Sequence, residues 1–293
     1  MMENEVFGEC HAHLLMDGMN YREAVQLHKN GVCVPQVRDH LRAYQSHGIT
    51  FVRDGGDALH VSETAKKLAG EYGIDYRSPM FAIHKKGHYG KIVGKGFETM
   101  HEYAELVQEV RDLGGDFIKI MVSGIMVYEE VGCISSEPLT EQEIREMIHI
   151  AHEEGFAVMV HVNGADPVRA AVCAGADSIE HGNYLDRDGI AALAQSDCVW
   201  VPTIVTTGNL IGCGRYPEEN LQRIFEMEKE NLHAGFEAGV KIAVGSDAGA
   251  FLVPHAEGTE EELRLIKEAL KGHEKVTEHL RKGEKLIRQK FRQ

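Results

Sequence analysis

Eight short apolar runs, near residues 5–10, 49–53, 76–83, 116–122, 156–162, 177–181, 198–204 and 240–246, alternate with longer segments of helical period. This alternation favours parallel strands joined by crossover helices, and eight strand–helix units are the number that closes a (β/α)8 TIM barrel. The expected fold is therefore α/β: one barrel domain over residues 1–272, then a C-terminal helical tail over 273–293. The chain length of 293 residues suits this reading, because α/β barrels reach roughly 250 residues as one unit.

The helices between the runs have recognisable ends. Segments 36–47, 57–72 and 98–113 each stop before a glycine, the residue favoured just past a helix C-terminus. Thr140 with Glu143 forms a capping-box pattern that opens a helix running to Glu154, and Asp166-Pro167 opens the next. Further helices are expected over 218–238 and 259–270. In the tail, Val276, Leu280, Ile287 and Phe291 share one helical face, with basic residues around them. That face predicts packing on the barrel or on a second subunit.

Three stretches, 84–97, 123–139 and 205–217, are too long for tight connections and contain glycine. All follow strands, so in a barrel they lie on the rim at the strand C-termini, where barrel active sites are built. They are expected to form the lid and substrate walls.

The balance of 31 basic and 46 acidic residues, a formal charge of -15, argues against a nucleic-acid or anionic-membrane surface. The six cysteines are scattered without a C-x-x-C pair, which points to reduced thiols and a cytoplasmic protein. No leader pattern opens the sequence, and no apolar run approaches the roughly 20 residues of a membrane helix.

Residues able to bind a metal recur at the ends of the apolar runs. His11 and His13 are two apart on the first strand, so their side chains point the same way and can reach one cation. Lys119 lies inside Phe117-Ile118-Lys119-Ile120-Met121, His161 ends the fifth strand, His181 the sixth, and Asp247 the eighth. A buried lysine and a buried aspartate each require a partner, and nitrogen and oxygen ligands of this kind suit zinc or another divalent first-row metal. Taken singly, a histidine at a strand end is more often a packed core residue; six such groups on one rim point to a metal site.

In this order the six positions resemble the amidohydrolase superfamily of metal-dependent hydrolases. Its pattern is H-x-H on strand one, lysine on strand four, histidines on strands five and six, and aspartate on strand eight. Flanking segments are similar to its imidazolonepropionase-like and prolidase-like branch: Gly48 to Gly56, Ile179-Glu180-His181-Gly182, Val201-Pro202-Thr203 and Gly245-Ser246-Asp247-Ala248-Gly249. Members usually carry a small β-sandwich as well, so the sequence reads as a barrel-only member. The resemblance implies two divalent ions, expected to be zinc. His11, His13 and Asp247 would hold one, His161 and His181 the other, and a carboxylated Lys119 would bridge them.

The implied activity is hydrolysis of a C–N bond in a small amide or cyclic amide by metal-activated water, with Asp247 carrying the proton. A lactonase or phosphotriesterase, a mononuclear deaminase and a non-catalytic metal-binding barrel are the alternatives. Arg53, His84, His88, Tyr89, Tyr128, Tyr184, Thr203 and His255 are the candidate substrate contacts. The expected partners are the small-molecule amide and a second copy of the chain, with no nucleic acid and no membrane.

Overall fold

The computed structural model describes residues 5–292. Residues 1–4 and 293, the outer ends of the two expected segments, lie outside the described residues. The strands are β1 (Glu9–Ala12), β2 (Phe51–Asp54), β3 (Asp75–Arg77), β4 (Ala82–Lys85), β5 (Gly94–Phe97), β6 (Ile118–Met121), β7 (Val158–Val162), β8 (Ser178–His181), β9 (Val199–Val201) and β10 (Lys241–Ile242). They pair in parallel, in the orders β1-β2-β3 and β10-β9-β8-β7-β6-β4-β5.

Backbone hydrogen bonds close the two sheets into a barrel. At one seam Cys10 N donates to Val244 O (3.0 Å), Asp247 N to His11 O (2.7 Å) and His13 N to Ala248 O (2.7 Å). At the other, Asp116 N donates to Ser78 O (2.8 Å), joining the end of β3 to the approach of β6. Both faces of such strands are covered, which is why they read as continuous apolar runs rather than alternating ones.

The third apolar run, expected as one strand over 76–83, is two strands, β3 and β4. Pro79 has no N–H to give to the ladder, and Met80 takes the left-handed conformation (φ 67°), so the chain kinks between them. Segment 84–97, expected as loop throughout, carries the short strand β5.

Helices Val34–Ser46, Val61–Leu68, Met100–Asp112, Glu141–Glu153, Ala165–Cys173, Glu218–Glu237 and Glu257–Ala269 stand where helical period placed them. The capping box is present: Glu143 N donates to Thr140 Oγ1 (3.3 Å) and Thr140 N to Glu143 Oε2 (3.0 Å). Three helices were not anticipated: Tyr21–His28, Arg187–Gln195 and the short Val205–Gly208 inside a stretch expected as loop. The first is capped by Asn20, whose Oδ1 accepts from Arg22 N (3.1 Å). Among the described residues no helix is long and apolar enough to cross a membrane.

The tail forms a helix, Val276–Lys290, that runs beneath the strand N-termini. Leu280, Ile287 and Phe291 are buried, and the Phe291 ring meets the Phe117 ring edge-on at 5.2 Å. The basic residues of the tail turn back to the barrel: Arg281 donates to Val6 O (2.7 Å), Arg288 to Glu284 (2.9 Å) and Lys290 to Asp197 O (2.7 Å). The helix lies so close to β10 that a Cβ on Gly283 would sit 1.9 Å from Ile242 O. Gly283→Ala should therefore destabilise the protein by about 1–3 kcal/mol or more through overpacking, and Phe291→Ala by about 3–5 kcal/mol through the cavity left behind. Urea unfolding checks both; wild-type stability in either variant would mean that the helix does not pack as described.

Candidate metal centre

The six ligand-type residues of the sequence converge at the strand C-terminal rim. His11, His13, Lys119, His161 and His181 are buried, and Asp247 is 19% exposed at its side chain. The ring centroids of His11 lie 5.4 Å from His13 and 5.0 Å from His181, and those of His161 and His181 are 4.7 Å apart. Asp247 Oδ1 is 3.5 Å from Nε2 of both His11 and His13. One ligand atom each from His11, His181 and Asp247 falls within 4.8 Å of the others.

Buried polar atoms are nearly always hydrogen-bonded, and exceptions call for an explanation. Here His11 Nδ1 and Nε2, His13 Nδ1, Lys119 Nζ and Asp247 Oδ1 are all buried without a hydrogen-bond partner. A divalent cation satisfies such a set: the donors are imidazole nitrogen and carboxylate oxygen, and the rim leaves lone pairs pointing inward. The residues present thus fit the group.

The surrounding chain fixes the ring orientations. His181 Nδ1 is 2.7 Å from Thr203 Oγ1 and His161 Nε2 is 3.3 Å from Gly124 O, which leaves the opposite nitrogen of each ring free. Trp200 Nε1 donates to His181 O (2.8 Å). His11 Nδ1 lies 2.9 Å from Glu180 Oε2, without hydrogen-bond alignment. Beneath His13, a Cβ on Gly55 would come 2.3 Å from His13 Cε1, so only glycine leaves the ring where it is. His181, Thr203 and Asp247 have φ of 67°, 53° and 59°. Non-glycine residues in this region are strained, and such strain gathers where side chains are aimed at a site.

Electrostatics follow from burial. Desolvation drives His11 and His181 well below the usual imidazole range, and holds His13 and His161 at about 3, so all four are neutral, ligand-ready bases. Desolvation also lowers Lys119 and raises Asp247, each favouring its neutral form.

A cavity of about 760 Å³ opens over these residues. All three long loops contribute walls: Tyr89, Ile92 and Val93; Ile125, Met126 and Tyr128; Leu210, Arg215 and Tyr216. Of the eight candidate substrate contacts, Tyr89 and Tyr128 line it. The others do not. Arg53 is fully buried, donating to Cys10 O (2.6 Å), Ser178 Oγ (2.8 Å) and Glu180 (2.8 and 3.0 Å). His255 is held by Tyr44 Oη (3.0 Å) and Met16 O (2.8 Å), and His84 and His88 by backbone carbonyls of Lys85 (3.0 Å) and Glu137 (3.1 Å). Thr203 orients His181, and Tyr184 lies off the cavity.

Residues not anticipated include Glu180 and Glu9, and the walls supplied by segments 16–22 and 249–251. Glu9 accepts from His11 N (2.8 Å), Ser246 N (2.9 Å) and Thr259 Oγ1 (2.6 Å), stapling β1 to the segment that ends in Asp247. Glu262 accepts from Ile204 N (3.2 Å) and Val205 N (2.7 Å) and fixes the chain after β9. Burial raises the Glu262 carboxyl from 4.5 to about 8. A raised folded-state value means that the folded protein holds this proton more tightly than the unfolded chain. Its contribution to stability therefore falls as pH rises through that window. Urea unfolding from pH 5 to 8 should show this decline, and Glu262→Gln should flatten it; an unchanged slope in the variant would refute the assignment.

Comparison with known proteins identifies the family. The chain matches the amidohydrolase family over residues 9–282 and belongs to it. An uncharacterised protein of Mycobacterium tuberculosis is 29% identical over 175 residues, covering 57% of this chain and 46% of that protein. The ochratoxinase of Aspergillus niger is 24% identical over 209 residues, covering 69% of this chain and 39% of the enzyme. The chain thus spans less than half the length of these relatives. Its fold is shared with a prolidase solved with N-methylphosphonate-L-proline, at TM-score 0.76 and 23% identity over 96% of this chain and 74% of that one.

Proposed function

We propose that the chain is a metal-dependent hydrolase that cleaves a C–N bond in a small-molecule amide. The observation that carries this is the set of buried, unpartnered ligand atoms of His11, His13, Lys119 and Asp247 at the floor of a cavity. Family membership and the likeness to the fungal ochratoxinase and to the prolidase support the same class of reaction. Bound divalent ions, zinc in our reading, acidify water and polarise a carbonyl. In a two-ion arrangement His11, His13 and Asp247 would hold one ion and His161 and His181 the other.

The chain's own residues do the rest. Asp247 stands between the two β1 histidines and faces the cavity, placed to take a proton from the attacking water and deliver it to the leaving nitrogen. Lys119, desolvated and unpartnered, has the environment that favours a neutral amine. A neutral amine is the form that reacts with carbon dioxide to give a bridging carbamate. Thr203 Oγ1 pairs with Nδ1 of His181 and so leaves Nε2 for the site. Thr203→Val should weaken metal affinity by about 10–100-fold, as loss of such outer partners does elsewhere; a competition titration with a fluorescent chelator checks it. Six free cysteines support a reducing, cytoplasmic setting.

A one-ion centre is the second reading, favoured by the tight grouping of His11, His181 and Asp247. Metal content per chain decides, measured on protein grown with bicarbonate and never exposed to chelator. Two equivalents that fall on Lys119→Ala support the bridged pair, whereas one equivalent indifferent to that change supports the single ion. No metal and no amide hydrolysis after reconstitution would sink the proposal.

A further inference from the structure

The outer half of the cavity carries information that the metal ligands do not. Its walls are largely apolar and aromatic, and Met19, Tyr21, Ile92 and Ile125 at its mouth are among the exposed large hydrophobic residues. Apart from Lys119 on the floor, the cations lining it are Arg22 and Arg215. In a chain with 46 acidic residues, neither guanidinium has a carboxylate within ion-pair distance among the described residues.

Arg22 meets one ring, Tyr21, with its Cζ 5.7 Å from the centroid and its Nε donated to Tyr21 Oη (3.2 Å), whereas Arg215 is braced by two rings and donates to neither. Its Cζ lies 5.3 Å from the Tyr216 ring centroid and 4.8 Å from that of Phe251, and Tyr216 in turn packs on Tyr128 at 5.1 Å. Stacking on aromatic faces holds the planar fork while leaving its N–H edges free, the arrangement suited to a carboxylate. Negative charge is distributed in the opposite way. Asp247 is the one carboxylate among the cavity-lining residues, and it is engaged in the ligand cluster. A substrate ammonium entering the cavity would lose its water and find no free counter-charge.

Resting on the hydrolase reading above, we propose that Arg215 anchors a substrate carboxylate, and that the substrates are N-acyl amino acids with an apolar or aromatic acyl group rather than dipeptides with a free α-ammonium. This narrows the amide class by charge at both ends of the molecule. Hydrolysis adds water across the amide: the C–N bond breaks, the acyl carbon gains oxygen and the nitrogen gains a proton, giving a carboxylic acid and a free amino acid.

Three nearly isosteric compounds test it on the metal-loaded protein. They are N-(3-phenylpropanoyl)-leucine, its leucinamide counterpart without the carboxylate, and phenylalanyl-leucine, which adds the ammonium. The first should be cleaved with a KM about 10- to 100-fold below the other two, the range expected of a charge-assisted contact. Arg215→Gln should erase its advantage over the leucinamide, bringing the ratio of the two KM values to about one, and Arg215→Lys should restore part. Equal KM values in the wild type, or an Arg215→Gln variant that still prefers the acid, would overturn the proposal. The ketomethylene isostere of the acid, which has no C–N bond, supplies a readout independent of turnover by isothermal titration calorimetry. Tighter binding of this acid than of its carboxamide, lost in Arg215→Gln, supports the anchor even if no compound is hydrolysed. Equal binding overturns it. Absence of all hydrolysis would count against the hydrolase reading alone.

Discussion

Asp247→Asn should lower kcat for amide hydrolysis by about 10²–10⁴-fold, the range typical of losing a positioned acid–base group. The substitution keeps the side-chain volume and an oxygen near His11 and His13, but removes the ability to accept and return a proton. KM should change little, because the contact matters most while the proton is in flight. Metal content measured on the same preparation separates the two duties of the residue. A fall in kcat at full metal loading identifies a proton carrier, and a fall that tracks metal loss identifies a ligand only. Activity within tenfold of wild type at full loading would remove Asp247 from the proposed chemistry.

The second large effect is one of stability. Arg53 and Glu180 are both fully buried, and Arg53 also donates to Cys10 O and Ser178 Oγ. Arg53→Leu leaves Glu180 as an uncompensated charge inside the barrel and should cost about 3–5 kcal/mol. Adding Glu180→Leu should recover much of that loss, since a buried pair replaced by apolar residues is often close to neutral. The recovery should not extend to metal affinity, because Glu180 lies 2.9 Å from His11 Nδ1. Denaturant unfolding of the two single variants and the double variant closes the cycle. If Arg53→Leu alone unfolds like the wild type, the pair has no structural role.

These two predictions also mark what could be read from sequence. The metal positions were legible because five of them sit where an apolar run stops and Lys119 interrupts another, and the end of a barrel strand is a defined place on the rim. Arg53 carried the same local signal, a charge at the end of an apolar run, yet its side chain turns into the barrel. Which way it turns depends on Glu180 and Ser178 on β8, more than a hundred residues away in the sequence. His84, His88 and His255 likewise find carbonyl or hydroxyl partners that no spacing rule reports. Arg215 and Phe251 lie in loops without period, so nothing in the sequence says that they meet. Two misses did leave a signal. Pro79 within the third run is incompatible with an unbroken ladder, and Asn20 with Glu23 three residues later announces a helix start.

The placement of Phe291 bears on when the centre can form during synthesis. Its ring lies 4.4 Å from the Arg53 guanidinium carbon, and Arg53 holds Glu180 beside His11. A nascent chain that has already exposed all six ligand residues still lacks the floor beneath them until residue 291 has left the ribosome. The final geometry of the centre therefore depends on packing at the far end of the barrel, which reaches the rim through Arg53 and Glu180.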